Sequence, residues 1–246
     1  NIKPILKPRL WLDIIQGYQS ASSIGDLLTL GTENAQHLGF SRMTYHQLPA
    51  IGNYAGDGLP RYFAYNIPEF VQASYVAVYS KKIDPLIQYV IETGLPIWLS
   101  EAVKLDVFKE NGHSKIIERT IELLGNGLAI PLYGPKLKLG YLFLAFGDSS
   151  HKPTDFRKWI SSSTANVFHT RYCKLTNSVA QKVNLTVREM EVLELVVMGK
   201  TNREIALILE ISVHTVNTYM KSLFLKFGTT DRVSTVLNAL THDVIV

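Results

Sequence analysis

The sequence of 246 residues is 46% hydrophobic and 19% charged, and its formal net charge is +4. This composition supplies a core for one large domain or two ordinary ones, and it excludes an intrinsically disordered chain, a collagen-like chain and a coiled-coil rod. The sequence contains no apolar run near the roughly 20 residues of a membrane span, no apolar signal-peptide stretch at its start and a single cysteine, so we expect a cytoplasmic protein without membrane contact or intramolecular disulfide.

The first 175 residues mix helical and strand periodicity. Apolar spacing near 3.6 residues predicts helices over 9–19 and 23–38, with Ser22 or Ser23 as the N-cap of the second. The later predicted elements are strands over 42–48 and 61–66, a helix over 67–79, a hairpin over 127–134 and 138–147, and a long helix over 153–175 opened by Thr154 and Asp155. The order predicts an α+β fold class, with an α/β/α sandwich in which helices flank both faces of an antiparallel sheet, as in domains that enclose small ligands.

A polar stretch without apolar periodicity, 174–184, predicts a linker between an N-terminal domain at 1–173 and an all-α domain at 185–246. In the second domain, Thr186-x-x-Glu189 and Thr201-x-x-Glu204 are capping boxes. The predicted helices there cover 187–198, 202–209, 213–227 after the N-cap Ser212, and a last one from Asp231 to about His242. A short helix, a tight turn and a longer helix form the outline of a helix-turn-helix.

The segment LTVREMEVLELVVMGKTNREIALILEISVHTVNTYMKSLFLKFGTTDR, at 185–232, resembles the LuxR-type DNA-binding domain. It departs from the family pattern at Tyr219, where histidine is usual, and at Phe227, where leucine is usual. The resemblance implies a transcriptional regulator that binds double-stranded DNA.

The third helix of this domain presents short polar groups and one cation, which are suited to hydrogen-bonding base edges in a major groove: His214, Asn217, Thr218 and Lys221. A second set lies where family members contact phosphates: Lys200, Thr201, Asn202 and Ser212. The alternative for both sets is that they are solvated faces and helix caps.

The charge distribution limits how strongly one copy of the second domain can bind DNA. Residues 185–246 contain six lysines and arginines against seven aspartates and glutamates, a net of −1, and the rest of the chain carries +5. Because affinity scales with the phosphates neutralised, a single copy should bind weakly. The family resemblance implies a homodimer on a two-fold operator, with RNA polymerase as a further expected partner.

The segment NIPEFVQASYVAVYSKKIDPLIQYVIETGLPIW, at 66–98, resembles the autoinducer-binding domain of quorum-sensing LuxR proteins. Pro68, Tyr75, Asp84, Pro85 and Trp98 fall on that family's pattern. The hairpin GLAIPLYGPKLKLGYLFLAFG, at 127–147, matches the family's glycine-bearing hairpin. The N-terminal domain is therefore expected to be a sensor and dimerisation domain.

The same resemblance assigns ligand contacts. In relatives that bind N-acyl-homoserine lactones, the Tyr75 and Asp84 positions contact the acyl amide and the Trp98 position contacts the lactone carbonyl. Three pocket positions depart from the pattern: Val71 replaces a tryptophan over the lactone ring, Ile67 replaces a frequent tyrosine, and Phe143 replaces a small polar residue. The resemblance thus implies no cofactor but a small effector, either an acyl-homoserine lactone or an altered ligand.

Several alternatives stay open at this point. Asp84 before Pro85 is also a turn-forming pair, Trp98 is equally suited to a core, and the sensor domain could serve dimerisation alone. The apolar residues of the helix at 153–175 indicate that part of it belongs to a dimer interface: Phe156, Trp159, Ile160, Phe168 and Tyr172. His169 and Cys173 make no closed metal site on their own, and no catalytic motif stands out, so we expect neither a metal site nor an enzyme.

Overall fold

A computed structural model describes residues 8–48, 61–79, 84–148, 151–177, 183–241 and 244. The chain divides into two compact units, one made mainly of residues 1–176 and the other mainly of residues 177–246, and each has its own hydrophobic core. The segment at 51–60, between the two predicted strands, and the centre of the predicted linker lie outside the described residues. None of the helices in the described part of the chain is both long and apolar enough to cross a membrane.

The N-terminal unit alternates helices and strands as predicted. Its elements are α1 (Pro8–Ser20), α2 (Ile24–His37), β1 (Arg42–Gln47), β2 (Arg61–Tyr65), α3 (Glu69–Tyr79), α4 (Pro85–Thr93), β3 (Ile97–Trp98), α5 (Leu99–Ala102), α6 (Asp106–Glu110), α7 (Ser114–Leu124), β4 (Gly127–Tyr133), β5 (Leu139–Ala145) and α8 (Asp155–Asn177). None of α4, β3, α5, α6 and α7 was among the predicted ranges. Of these, β3, α5 and α6 span too few residues to show a periodicity.

The five strands form one antiparallel sheet in the order β2-β1-β5-β4-β3. Successive side chains of a strand point to opposite faces. Met43 and Tyr45 therefore pack in the core under α1, α2 and α8, whereas Ala129 and Phe143 pack in a second core with α4, α5 and α7. Helices cover both faces of the sheet, which confirms the predicted fold class.

Local signals place the helix ends of this unit. The Ser23 side chain caps α2 by accepting from the backbone N–H of Asp26 at 3.0 Å, which decides between the two predicted caps. Helix α8 begins at Asp155, and the Thr154 hydroxyl accepts from the N–H of Arg157 at 3.2 Å. The helix continues to Asn177, and so it extends into the predicted linker.

The C-terminal unit consists, in its described residues, of four helices: α9 (Val187–Val197), α10 (Asn202–Ile208), α11 (Val213–Phe227) and α12 (Arg232–Thr241). Both predicted capping boxes are present, and Ser212 caps α11. In the turn between α10 and α11, Glu210 has a φ of 53°, in the left-handed region. The local caps thus define the predicted helix-turn-helix.

A buried carboxylate joins two of these helices. Glu189 on α9 is only 4% exposed. Its carboxylate accepts hydrogen bonds from the Ser222 hydroxyl at 2.6 Å and from the Lys226 ammonium at 2.7 Å, both on α11. The first helix of the unit is therefore fixed to the third by a charge-assisted contact.

Candidate ligand pocket and candidate nucleic-acid interface

The N-terminal unit contains a cavity of about 120 Å³ on the sheet face that carries α4, α5 and α7. Strands β1, β2 and β5 form its floor, and α3, the start of α4, α5 and α7 surround it. Five of the six residues predicted to contact the ligand line this cavity: Ile67, Val71, Tyr75, Asp84 and Phe143.

Asp84 and Tyr75, the two residues that the resemblance predicts to contact an acyl amide, both line the cavity. The Tyr75 hydroxyl lies beside the Asp84 carboxylate and favours its ionised form, which opposes the effect of burial on the pKa of Asp84. Asp84 Oδ1 accepts from the backbone N–H of Leu86 at 2.8 Å, so Asp84 is the N-cap of α4 as well as a wall of the cavity. Burial raises the pKa of the Asp84 carboxyl. A carboxylate withdrawn from water is stabilised by additional donors, and an amide N–H is one.

Trp98 is not among the residues that line the cavity. It is buried in the core under α1, α2 and α8, where its ring stacks on Phe40 and Phe146 at centroid distances of 6.1 and 5.5 Å. The next residue, Leu99, lines the cavity instead. The prediction that Trp98 contacts a lactone carbonyl is therefore corrected, because a shift of one position at the end of β3 changes the face of the sheet.

Several pocket residues were missed by the sequence analysis. His46 on β1 lies opposite Tyr62 on β2 and opposite Tyr141 on β5, and all three line the cavity. The alternation in RMTYHQL carries the signal, because Tyr45 in the core implies that His46 faces the other side.

The predicted recognition face lies on the surface of the C-terminal unit. His214, Asn217, Thr218 and Lys221 are all exposed on α11. The opposite stripe of the helix packs into the core of the unit through Val216, Met220, Leu223 and Phe227. The exposed face therefore combines one cation with groups that can hydrogen-bond base edges.

Asn217, one of the residues predicted to contact base edges, is held by a chain of side-chain hydrogen bonds that we call the relay: Arg232 to Asn202 to Asn217. The amide Nδ2 of Asn202 donates to Oδ1 of Asn217 at 2.8 Å, and Nη1 of Arg232 donates to Oδ1 of Asn202 at 2.9 Å. Arg232 also donates to the carbonyl of Lys200. Because Oδ1 of Asn217 is occupied, the arrangement leaves the NH2 group of Asn217 available to acceptors on base edges.

The predicted phosphate-contacting residues fall into two groups. The side chains of Thr201 and Ser212 accept from the backbone N–H groups of Glu204 and Thr215, so they act as helix caps. Asn202 belongs to the relay, and Lys200 is half-exposed. The structure thus supports the capping alternative for the two hydroxyl side chains, while their backbone N–H groups still lie near helix N-termini.

The pair His169 and Cys173 lies in the N-terminal core, where the Tyr45 hydroxyl is hydrogen-bonded to His169 Nδ1 at 2.8 Å. Across the described residues, no three histidine, cysteine, aspartate or glutamate side chains are grouped so that they could hold a metal ion.

Two family models match the chain. Residues 23–172 match the autoinducer binding domain, and residues 183–239 match the family described as bacterial regulatory proteins, luxR family. The first match alone covers more than half of the chain. The boundaries agree with the two compact units.

Individual relatives cover different parts of the chain. A putative HTH-type transcriptional regulator y4qH of Sinorhizobium fredii is 30% identical over 50% of this chain and 38% of its own length. The transcriptional activator protein PhzR of Pseudomonas fluorescens is 27% identical over 74% of this chain and 75% of its own. The chain therefore spans less than half of y4qH and about three quarters of PhzR.

The fold is similar to that of a solved structure. The crystal structure of Escherichia coli SdiA superposes with a TM-score of 0.72 at 20% identity, over 97% of this chain and 98% of SdiA. At this identity the similarity supports the fold and carries no ligand assignment.

Proposed function

This chain belongs to the luxR family of bacterial regulatory proteins and carries an autoinducer-binding domain. From that premise we propose that it is a cytoplasmic transcriptional regulator controlled by a small effector. The observation that carries the proposal is the cavity of the N-terminal unit, which the side chains of Tyr75 and Asp84 line together. An effector that binds one conformation of the sensor unit more tightly shifts the population toward it, and DNA binding follows that shift.

The polar pair favours an effector that contains an amide. Val71 lines the cavity at the position where the family has a tryptophan over the lactone ring. A compact lactone therefore leaves an apolar gap. We expect acyl-homoserine lactones to bind weakly and an acyl amide with a different head to bind more tightly.

The substitution Val71→Trp tests this assignment. Because the indole ring fills the gap and packs against the lactone ring, the variant should gain about 1–3 kcal/mol, or about tenfold to a hundredfold in affinity for N-octanoyl-homoserine lactone. Isothermal titration of the wild-type chain and the variant measures the difference. Nanomolar binding of this lactone by the wild type, with no gain in the variant, would contradict the proposal.

The exposed face of α11 is proposed to read DNA. Lys221→Ala and Asn217→Ala should each weaken specific binding by about 1–3 kcal/mol if these side chains contact base edges. Lys200→Ala should weaken binding to all sequences and flatten the salt dependence. A duplex selected by the full chain from a random pool provides the target, and a scrambled duplex provides the control. If the folded Lys221→Ala and Asn217→Ala variants bind the selected duplex with unchanged affinity, the exposed face of α11 does not contact base edges.

A homodimer is proposed on the basis of α8. Phe168 and Tyr172 belong to the core of the unit, but Phe156 and Trp159 are 52% and 53% exposed on the same helix. Two large exposed apolar side chains one helical turn apart are suited to contact a second copy of this chain. The second copy then provides the second DNA-binding unit that a two-fold operator needs. RNA polymerase is the further partner that the family suggests.

Sedimentation of the full chain at micromolar concentration tests the dimer. The wild type should sediment as a dimer and Trp159→Asp as a monomer, because the substitution places a charge in the apolar contact. The control Thr170→Asp changes a half-exposed residue further along the same helix and should leave the dimer intact. A wild-type monomer that still binds its selected duplex with full affinity would contradict the assignment.

A second candidate function is a sensor unit that binds nothing and serves dimerisation alone. The small size of the cavity favours it, since 120 Å³ lies below the roughly 300–1,000 Å³ of typical ligand pockets. An enzyme ranks last because the sequence offers no catalytic motif. Thermal melting of the full chain with and without a bacterial lipid extract separates the effector-controlled regulator from the dimerisation module. A bound effector raises the melting temperature, whereas a unit that binds nothing melts at the same temperature in both samples.

A further inference from the structure

The cavity of the N-terminal unit has a polar end and an apolar end. At the polar end, His46 lies in one row across the sheet between Tyr62 and Tyr141, beneath Tyr75 of α3. The apolar end begins with Phe143, which pairs with Thr44 two residues along β1, and continues with Leu99, Ile117 and Leu124. The two rows of the floor are about 7 Å apart. The lining therefore suits an amphiphilic molecule, with a polar head and an apolar tail.

One ring nitrogen of His46, Nδ1, is buried and has no hydrogen-bond partner in the part of the chain that the structure describes. The residue is 2% exposed. The imidazole is held by the edges or faces of three tyrosine rings, with centroid distances of 4.8 Å to Tyr62, 5.4 Å to Tyr75 and 5.4 Å to Tyr141. Buried polar atoms in proteins are almost always hydrogen-bonded, because a buried atom without a partner destabilises the fold by about 1–3 kcal/mol.

The imidazole is neutral under ordinary conditions. Burial lowers the pKa of His46 to about 4, so at pH 7 one ring nitrogen donates and the other accepts. A neutral ring offers no charge to an ionic head group. A hydroxyl group both donates and accepts, and it satisfies either tautomer.

We propose that His46 recognises the effector head by a hydrogen bond, and that the effector is an acyl amide whose head bears a hydroxyl group. The inference rests on the proposed function, because it places the amide at Asp84 and Tyr75. The ring of His46 contacts the ring of Tyr75, whose hydroxyl reaches Asp84. A short head can thus contact both groups, while the acyl chain lies toward Phe143. A carboxylate head is disfavoured because it would lie near the Asp84 carboxylate.

Two isosteric probes isolate the hydroxyl group. N-(2-hydroxyethyl)octanamide and N-propyloctanamide share the amide, the acyl chain and the number of heavy atoms, and they differ by a hydroxyl in place of a methyl. Isothermal titration of the full wild-type chain should show the hydroxyl probe binding about tenfold more tightly, because only it satisfies the buried nitrogen.

Variants at β1 assign the preference to His46. His46→Phe keeps an aromatic ring and removes both nitrogens, so the two probes should bind with nearly equal affinity. Thr44→Val is the matched control, since Thr44 lines the same cavity from the same strand and its variant should keep the preference. The comparison of the two probes in the wild type stands on its own if His46→Phe does not fold.

The outcomes separate the inference from the proposed function. Equal affinity of the two probes for the wild type overturns the role of His46 and leaves the amide contact standing. Tighter binding of N-(2-aminoethyl)octanamide than of the hydroxyl probe also overturns it, in favour of a cationic head drawn to Asp84. Failure of a folded wild-type chain to bind any of the three amides overturns both proposals.

Discussion

Asp84→Asn should weaken the binding of N-octanoyl amides by at least about tenfold, because a charge-assisted hydrogen bond contributes about 1.5–3 kcal/mol. The loss has two parts. The anionic acceptor disappears, and the new side chain directs an NH2 donor either at the Tyr75 hydroxyl or at the N–H of the ligand. Titration of the wild type and the variant with the same amide measures the effect.

Asparagine is the informative replacement because it separates binding from folding. Asp84 Oδ1 caps α4 through the N–H of Leu86, and asparagine is as good an N-cap as aspartate. The melting temperature should therefore change little in Asp84→Asn but fall in Asp84→Ala, which loses the cap. Asp26→Asn, on the exposed surface of α2, is the control for removal of a carboxylate. Wild-type affinity in Asp84→Asn would exclude the carboxylate as the amide acceptor.

Glu189→Gln should destabilise the C-terminal unit by about 2 kcal/mol at pH 7, because it removes the charged acceptor of a buried contact. Burial opposes ionisation of this carboxyl, but hydrogen bonds from Lys226, Ser222 and Thr186 outweigh it and lower its pKa from 4.5 to about 2. The ionised form therefore stabilises the fold. Urea unfolding of the full chain, followed through the transition of this unit, measures the change.

The pH dependence of this effect has a definite sign. Because the pKa of Glu189 is lower in the folded state than in the unfolded chain, its contribution is complete above about pH 4.5 and is lost as the pH falls toward about 2. The difference between wild type and Glu189→Gln should shrink over that range. Glu191→Gln is the control, since Glu191 pairs with Arg188 on the surface and such pairs contribute about 0–1 kcal/mol. A difference that does not depend on pH would contradict the role of the charge.

Local signals in the sequence were enough to predict the C-terminal unit. Its helices begin at residues whose side chains cap them, such as Thr186 and Ser212, and a cap depends only on residues three positions away. The relay from Arg232 through Asn202 to Asn217 joins residues 30 and 15 positions apart. No local pattern predicts such contacts, because they arise only when α10, α11 and the start of α12 pack together.

The pocket was predicted less completely, for a physical reason that differs by residue. Tyr75 on α3 and Asp84 at the start of α4 lie close together in the chain, so spacing along the family pattern fixes both. Trp98 was misplaced because β3 is only two residues long, and a strand that short gives no alternation from which to choose a face. The alternation of β1 already predicts which side of the sheet His46 faces. That its Nδ1 has no hydrogen-bond partner among the described residues is seen only in the tertiary structure.

The central claim is that the N-terminal unit holds an effector through Asp84. Native mass spectrometry of the full chain, purified from bacteria grown on rich medium, tests it most directly. The account predicts that the wild type carries a small molecule of defined mass that contains an amide, and that Asp84→Asn, purified in parallel and equally folded, carries none. A wild-type chain that carries no small molecule, and whose melting temperature is unchanged by lipid extract or by acyl amides, would contradict the account and favour the dimerisation module.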